Sequence, residues 1–237
     1  MRLLQTRIHR FLSAHSFYAL AASSVLACTL LAGRIWYSQR ATFVFMTWNL
    51  VLAWVPYCCS LWAAVAQRRQ PQAWWRLLAP GALWLLFFPN APYIVTDLVH
   101  LRERPFVPLW YDLGLLAAFM LSGCFLAVVS LHIMQGLVRR VASALVGWLF
   151  VVASVALSGL GVYLGRVQRW NSWDLVLAPR DVLADALRPL LFPLQHIHPL
   201  ALSAVSSAIL AICYVMYLSA YSVGKLGAQP AEPPGEV

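Results

Sequence analysis

The sequence predicts an all-α integral membrane protein, a bundle of about six transmembrane helices with short interfacial helices on one face. One observation is composition: the 237 residues are 62% hydrophobic and 11% charged, with a mean hydropathy of +0.72. A water-soluble domain of this composition would expose large apolar patches. The other observation is that the apolar residues form runs of membrane length, and a span needs roughly 20 of them. The chain has room for about six or seven spans and no sizeable soluble domain.

Six apolar runs are the predicted spans. They are Phe17 to Ala32, Phe43 to Ala66, Leu77 to Phe88, Leu109 to Met134, Val141 to Leu164 and Leu200 to Tyr221. The first is expected to be retained, because it continues past Cys28 and is longer than the apolar region of a cleaved signal peptide. The third contains Pro80, which predicts a kink because proline lacks a backbone donor. The spans form a single domain, 1–223, and the prolines and glutamates of 224–237 predict a disordered tail.

The basic residues exclude a nucleic-acid-binding module. The net charge is +9, but the bases lie between or at the ends of apolar runs, where they suit anionic lipid headgroups. No soluble stretch is long enough for a nucleic-acid-binding face. The five cysteines lie inside apolar runs without ligand spacing, which predicts packing and no metal site. Phosphate-loop, nucleophile-elbow and dinucleotide motifs are missing, so no cofactor is predicted.

The orientation in the membrane depends on a small difference in charge. With the N-terminus inside, nine bases lie inside and the other eight of the seventeen lie outside; the inside set is Arg2, Arg7, Arg10, Arg68, Arg69, Arg76, Arg139, Arg140 and Lys225. The first span often dominates, and it has three arginines before it against Arg34 and Arg40 after it. We therefore predict a multi-pass membrane protein with both termini cytoplasmic.

The segment after the third span predicts a short amphipathic helix at the membrane interface. Asn90 is expected to cap it, with Pro92 in the first turn, where proline costs no hydrogen bond. Four side chains then fall on one stripe at helical spacing: Tyr93, Asp97, His100 and Arg104. Asp97 and His100 are one turn apart, which suits a general-base pair or two metal ligands. The alternative is a solvated stripe in which Asp97 caps the helix or pairs with Arg104.

The segment after the fifth span, Gly165 to Asp174, is rich in polar and aromatic residues. Arginine and tryptophan near a helix end are typical of headgroup anchors and of the aromatic belt, and this interpretation is sufficient for Arg166. It is not sufficient for Asn171 and Asp174, which anchorage does not require. We expect these two side chains to pair with Arg169 across a turn or with the stripe of the first segment.

A second interfacial helix is predicted from Asp181 to Leu191, with charged residues on one side and leucines on the other. It is either a lid over the site or a connector to the last span. His196 and His198 alternate like metal ligands, but a zinc site needs at least three convergent ligands. We therefore predict no metal at these histidines.

The segments after the third and fifth spans share one face of the membrane, because successive spans cross in alternating directions. We call it the polar face, since six of the eight acids lie there: Asp97, Glu103, Asp112, Asp174, Asp181 and Asp185. Asp112 begins the fourth span and is the acid that we expect to be drawn into the bilayer. The candidate catalytic residues are Asp97, His100 and Asp174. The candidate ligand-binding residues are Asn90, Tyr93, Asp97, Asp112, Arg166, Arg169, Trp170, Asn171 and Asp174.

The leading functional hypothesis is an outward-facing polar cluster that binds a lipid headgroup or a lipid-linked amphiphile. Arg169 would contact a phosphate, and Trp170 would lie at the apolar boundary. Asp97 could add catalysis as a base. A transporter or channel component is one alternative, although the spans carry few polar residues. The other is an assembly partner whose interfacial helices dock a second membrane protein.

Two strings carry a resemblance to a known family: FPNAPYIVTDL, which runs from Phe88 to Leu98, and GRVQRWNSWD, which runs from Gly165 to Asp174. They resemble the bacterial membrane family known as domain of unknown function 1361. The resemblance extends from about the second span through the sixth. It implies a polytopic inner-membrane protein without an established biochemical role. It also implies that the matched polar positions form the site: Asn90, Asp97, Arg169, Asn171 and Asp174.

Overall fold

The computed structural model describes residues 2–227, without the side chains of 2–4, 190, 199 and 224–227. The described residues are helical and contain no strand. The α-helices are α1 (Arg2–Ala14), α2 (Phe17–Ser38), α3 (Phe45–Arg69), α4 (Leu78–Phe87), α5 (Asn90–Tyr93), α6 (Leu109–Val141), α7 (Ala144–Tyr163), α8 (Asp174–Leu177), α9 (Pro179–Leu191) and α10 (Ile197–Gly227). The described residues also form two 3-10 turns, Trp74–Leu77 and Ile94–His100, and one π turn, Leu164–Gln168.

Six segments are long and apolar enough to cross a membrane. They are Phe17–Ser38, Phe45–Arg69, Trp74–His100, Leu109–Val141, Ala144–Gln168 and Leu200–Val223. The count confirms the predicted all-α bundle of six spans. The protein is therefore a polytopic membrane protein.

The fourth span, α6, is the centre of the bundle. It packs against α2, α3 and α7, and 56% of its most apolar window is buried, against 11% for the last span. A glycine permits a close approach of α6 to α5: a Cβ on Gly123 of α6 would lie 2.6 Å from the carbonyl oxygen of Ala91 in α5. Small residues allow helices in a membrane to approach closely. Gly123 therefore sets the position of α5, on which part of the site is built.

The third span is interrupted near its ends and not at Pro80. A 3-10 turn precedes α4, and Pro80 lies in the first turn of α4, where a helix has no internal acceptor for a backbone donor. The α-helix ends at Phe87, and the chain resumes as α5 after Pro89. The predicted amphipathic helix is thus one α-turn followed by a 3-10 turn. This tighter winding ends at His100, so Arg104 lies beyond it.

Residues 2–14 form a helix, α1, that was not among the predicted elements. It packs against α2, and the guanidinium of Arg68 lies 4.8 Å from the ring centre of Phe11. At the other end of the chain, 224–227 continue α10, and the rest of the predicted tail, 228–237, lies outside the described residues.

Candidate functional site

A cavity of about 840 Å³ lies on the polar face, between the end of the third span and the end of the fifth. We call it the site cavity. Its apolar wall comes from α3, α4, α7 and α9 and includes Leu52, Leu86, Leu160 and Leu183. Its polar end is formed by Asn49, Asn90, Tyr93, His100, Arg166 and Arg169. The cavity thus joins a hydrocarbon-like surface to a group of polar side chains, the arrangement that binding pockets commonly have.

Arg166 and Asp97 form the central ion pair beside this cavity. Arg166 Nη1 donates to Asp97 Oδ1 at 3.2 Å. Asn49, in α3, donates from Nδ2 to the second carboxylate oxygen at 2.9 Å. The Asp97 side chain is 0% exposed, whereas Arg166 is 21% exposed and lines the cavity. The Asp97 carboxylate therefore holds the Arg166 guanidinium in place from the buried side and does not itself line the cavity.

Arg166 gathers the stripe that the sequence predicts after the third span. Its Nη2 donates to the carbonyl of Thr96 at 3.1 Å and lies 3.2 Å from His100 Nε2, and its Nη1 lies 3.4 Å from the hydroxyl of Tyr93. A guanidinium can only donate, so His100 Nε2 is the acceptor in this contact and the ring is neutral. The prediction that Tyr93, Asp97 and His100 point the same way is confirmed. They meet at Arg166, which belongs to the segment after the fifth predicted span.

Arg104 does not belong to this stripe, and the suggested Asp97–Arg104 pair is wrong. The 3-10 turn ends at His100, and the chain then turns back. Arg104 donates from Nη2 to the carbonyl of His100 at 3.2 Å, and its guanidinium lies 4.5 Å from the ring centre of Phe43. Arg166 does more than anchor the helix end, because its guanidinium also turns inward to Asp97.

The second segment places Arg169 at the cavity by an unusual backbone conformation. The π turn ends at Gln168, and Arg169 has φ 64°, in the left-handed region that non-glycine residues seldom adopt. This conformation lets the N–H of Trp170 donate to the carbonyl of Leu164 at 3.1 Å. Arg169 is exposed and lines the cavity, and no acid in the described part of the chain forms an ion pair with it.

The sequence predicts that Asp174 pairs with Arg169 or with the stripe. This prediction is wrong, because Asp174 pairs with Asn171. Its Oδ2 accepts from the backbone N–H of Asn171 at 2.7 Å and from Asn171 Nδ2 at 3.2 Å. The carboxylate closes the turn that precedes α8 and does not line the cavity. Asn171 lines the cavity at its exposed edge. Asp174 therefore positions Asn171 at the cavity and does not itself contact the cavity.

Asn90 joins the two segments. It is the first residue of α5 and not the cap of that helix, and its Nδ2 donates to the carbonyl of Phe87 at 3.0 Å and to Ser172 Oγ at 2.8 Å. Trp170 makes the corresponding contact to α9, since its Nε1 donates to Asp185 Oδ2 at 2.9 Å. These two bonds fix the loop between α7 and α9 along the cavity.

Asp112 lies apart from the site cavity. It is 1% exposed and accepts from Arg34 Nε at 2.6 Å and Arg34 Nη2 at 3.0 Å. The Arg34 guanidinium also lies 4.7 Å from the ring centre of Phe43. Asp112 is buried inside the bundle, and its predicted position in the bilayer stays a prediction. The pair joins α2 to α6 and leaves Asp112 no free oxygen facing the cavity.

Sequence reasoning did not include Asn49 and Ser172 among the site residues. Asn49 is a polar residue inside an apolar run, which is itself a signal of function in a membrane span. Ser172 carries no such signal, because serine is common in loops. Within residues 2–227, no group of three or more His, Cys, Asp or Glu side chains is placed to hold a metal.

Comparison with known families supports the resemblance of the two polar segments. A family model described as "Protein of unknown function (DUF1361)" matches residues 48–221, which include both segments and all residues that line the cavity. The comparison with curated proteins finds no match, and the comparison with solved structures finds none either. The site itself must therefore carry the functional argument.

Proposed function

The chain belongs to the DUF1361 family, whose description names no activity, and from this premise we propose that it binds an anionic amphiphile in the site cavity. The headgroup would occupy the polar end, beside Arg166 and Arg169, and the acyl chain would follow the leucine wall. Binding at this site is the function that the arrangement of side chains supports best.

The charge of the lining is the single observation that carries the proposal. Arg166 and Arg169 line the cavity, and no carboxylate of the described residues 2–227 does. Guanidinium groups bind phosphate oxygens strongly because they donate several hydrogen bonds in one plane. An anionic headgroup is therefore favoured there over a neutral or cationic one.

The apolar wall indicates that the anion carries a hydrocarbon chain. Leu85 and Leu157 line the cavity and belong to membrane spans, yet they are 42% and 48% exposed. The wall therefore reaches the outer surface of the bundle, where lipid chains would surround it. A cavity of about 840 Å³ also falls within the range of ligand pockets, roughly 300–1,000 Å³.

Native mass spectrometry of the intact protein tests this proposal, with mixed micelles of anionic phosphatidylglycerol and zwitterionic phosphatidylcholine. Phosphatidylglycerol should be retained preferentially, and Arg169→Gln should reduce its retention about tenfold or more, since a charged hydrogen bond contributes about 1.5–3 kcal/mol. Arg180→Gln is the matched control, because Arg180 is an exposed arginine of α9 that does not line the cavity.

Two results would overturn the proposal: equal retention of the two lipids, or unchanged retention in Arg169→Gln. Either result would move the assignment to the alternatives of a transporter component or an assembly partner. Copurification of another membrane protein that is lost in Arg169→Gln, without any lipid adduct, would favour the assembly partner.

We also propose that the polar face is external and that both termini face the cytoplasm across the inner membrane. Three arginines of the polar face are neutralised in ion pairs: Arg34, Arg166 and Arg188. The opposite face carries Arg68, Arg69 and Arg76 at one loop and Arg139 and Arg140 at the other, and no acid among the described residues. An excess of arginine and lysine in short loops is typical of the cytoplasmic side.

A cysteine labelling experiment tests the orientation, in a variant whose five native cysteines are replaced. Asp174→Cys should react with a membrane-impermeant thiol reagent added to intact cells. Arg140→Cys, at the opposite end of the spans, should react only after the membrane is opened. The reverse pattern would invert the proposed topology.

A further inference from the structure

We infer that the headgroup selected by the site cavity is a phosphodiester that carries hydroxyl groups, such as a glycerol or a sugar. This inference rests on the proposed function and specifies its substrate class. It comes from the hydrogen-bonding state of three asparagine side chains in the lining and from the charge balance around them.

The three asparagines offer acceptors to the cavity. Asn49 donates its amide N–H to Asp97 at 2.9 Å, and Asn90 donates to Ser172 and to the chain before α5. Asn171 donates to Asp174 at 3.2 Å. No described residue donates a hydrogen bond to the carbonyl oxygen of any of these amides, although all three line the cavity. The protein engages their donors and leaves their acceptors for a ligand.

A ligand that satisfies amide oxygens must bring donors, which are either hydroxyl or ammonium groups. An ammonium group is disfavoured here, because Arg166 and Arg169 line the same cavity and the described part of the chain adds no carboxylate to it. Like charges in a partly buried site repel each other strongly. Hydroxyl groups supply donors without charge and are therefore the matching class.

The charge balance indicates one negative charge on the ligand. The charge of Arg166 is met by Asp97 at 3.2 Å, and His100 is neutral where it accepts from Arg166. Among the described lining residues, Arg169 is the cation without an acidic partner. One uncompensated cation matches a phosphodiester better than a phosphomonoester, which carries up to two charges. Trp48 and Trp170 add aromatic faces beside these groups, suited to the C–H surface of a polyol.

A matched pair of lipids tests the hydroxyl groups without changing the protein. Phosphatidylglycerol and phosphatidylethanol with identical acyl chains share the diester and its charge, but the ethanol headgroup has no hydroxyl. In native mass spectrometry with both lipids present, the wild-type protein should prefer phosphatidylglycerol about tenfold, since two hydrogen bonds are lost in the analogue. Phosphatidylethanolamine, which replaces the hydroxyls by ammonium, should bind more weakly than either. Water-soluble glycerol 3-phosphate should not displace the lipid.

Asn90→Ala separates recognition from structural support. Loss of hydroxyl recognition lowers the affinity for phosphatidylglycerol alone, so the preference falls toward one. Loss of structural support lowers both affinities equally and leaves the preference unchanged, which would contradict the inference for Asn90. Melting temperatures of wild type and variant in the same detergent show that both are folded.

The outcomes distinguish this inference from the proposed function. Equal binding of phosphatidylglycerol and phosphatidylethanol, with both lost in Arg169→Gln, would overturn the hydroxyl assignment and keep the anionic site. Preference for phosphatidylethanolamine would overturn the charge argument. Retention of none of these lipids would overturn the proposed function itself.

Discussion

Arg166 and Asp97 are 69 residues apart in the chain, and their side chains meet at 3.2 Å between Nη1 and Oδ1. The pair links the π turn that ends the fifth span to the 3-10 turn that ends the third. Asp97 is fully buried while Arg166 faces the cavity, so the carboxylate orients a guanidinium that a ligand can contact. The site therefore depends on the relative position of two spans as much as on its own residues.

We predict that Asp97 and Arg166 are energetically coupled. Asp97→Ala leaves the guanidinium without its charged partner in a mostly buried position and should lower the free energy of unfolding by about 3 kcal/mol. Arg166→Ala strands the fully buried carboxylate and should cost a similar amount. The double variant should lose less than the sum of the two, by about 0.5–3 kcal/mol.

Unfolding in detergent micelles, followed by circular dichroism, measures this cycle. Additive losses would show that the contact at 3.2 Å contributes no stability. Arg188→Ala is a useful comparison, because the ion pair of this exposed arginine to Asp185 should contribute below about 1 kcal/mol, while Asp185 keeps its hydrogen bond from Trp170.

The Arg34–Asp112 pair should govern stability but not ligand binding. Both side chains are almost completely buried, so Asp112→Asn should destabilise the fold by about 3 kcal/mol or more. Replacing both partners with apolar residues, Arg34→Met with Asp112→Leu, should recover much of that loss, since no charge is then left buried.

Two measurements check this second prediction. Melting temperatures in detergent report the loss and its recovery, and lipid retention below the melting temperature should stay at the wild-type level in Asp112→Asn. Specific loss of the lipid in a folded Asp112→Asn protein would return Asp112 to the site, where the sequence analysis placed it.

Gly123 should affect the site from inside the bundle. An alanine Cβ there would lie 2.6 Å from the Ala91 carbonyl, so Gly123→Ala should displace α5 and with it Asn90 and Tyr93. We expect a lower melting temperature, because overpacking costs about 1–3 kcal/mol of stability, and weaker lipid retention, because Asn90 and Tyr93 line the cavity.

Gly136→Ala is the matched control in the same helix, since nothing lies within 4 Å of a Cβ at that position. Alanine is a better helix former than glycine by about 1 kcal/mol, so this variant should be as stable as the wild type or more stable. Equal behaviour of the two variants would show that α5 and α6 can separate without cost.

Much of the architecture was predictable, because it depends on order along the chain. The lengths of the apolar runs predicted six spans, and alternating crossing directions placed the two polar segments on one face. Tyr93, Asp97 and His100 were predicted to point the same way from their spacing alone, and they do. Helical periodicity and span direction are local properties that no distant contact needs to supply.

The choice of partners was decided by tertiary structure. Spacing left Asp97 with Arg104 as a neighbour, yet Arg166 reaches it from another span, and Asn49 completes the site from a third. These distances depend on how closely the spans approach: a Cβ on Gly161 of α7 would lie 2.6 Å from Pro89, and Gly123 lies against Ala91. The sequence by itself determined which residues are available on the polar face. Packing of small residues between spans decided which of them meet, because a hydrogen bond or ion pair depends on distances of a few ångströms that sequence spacing does not contain.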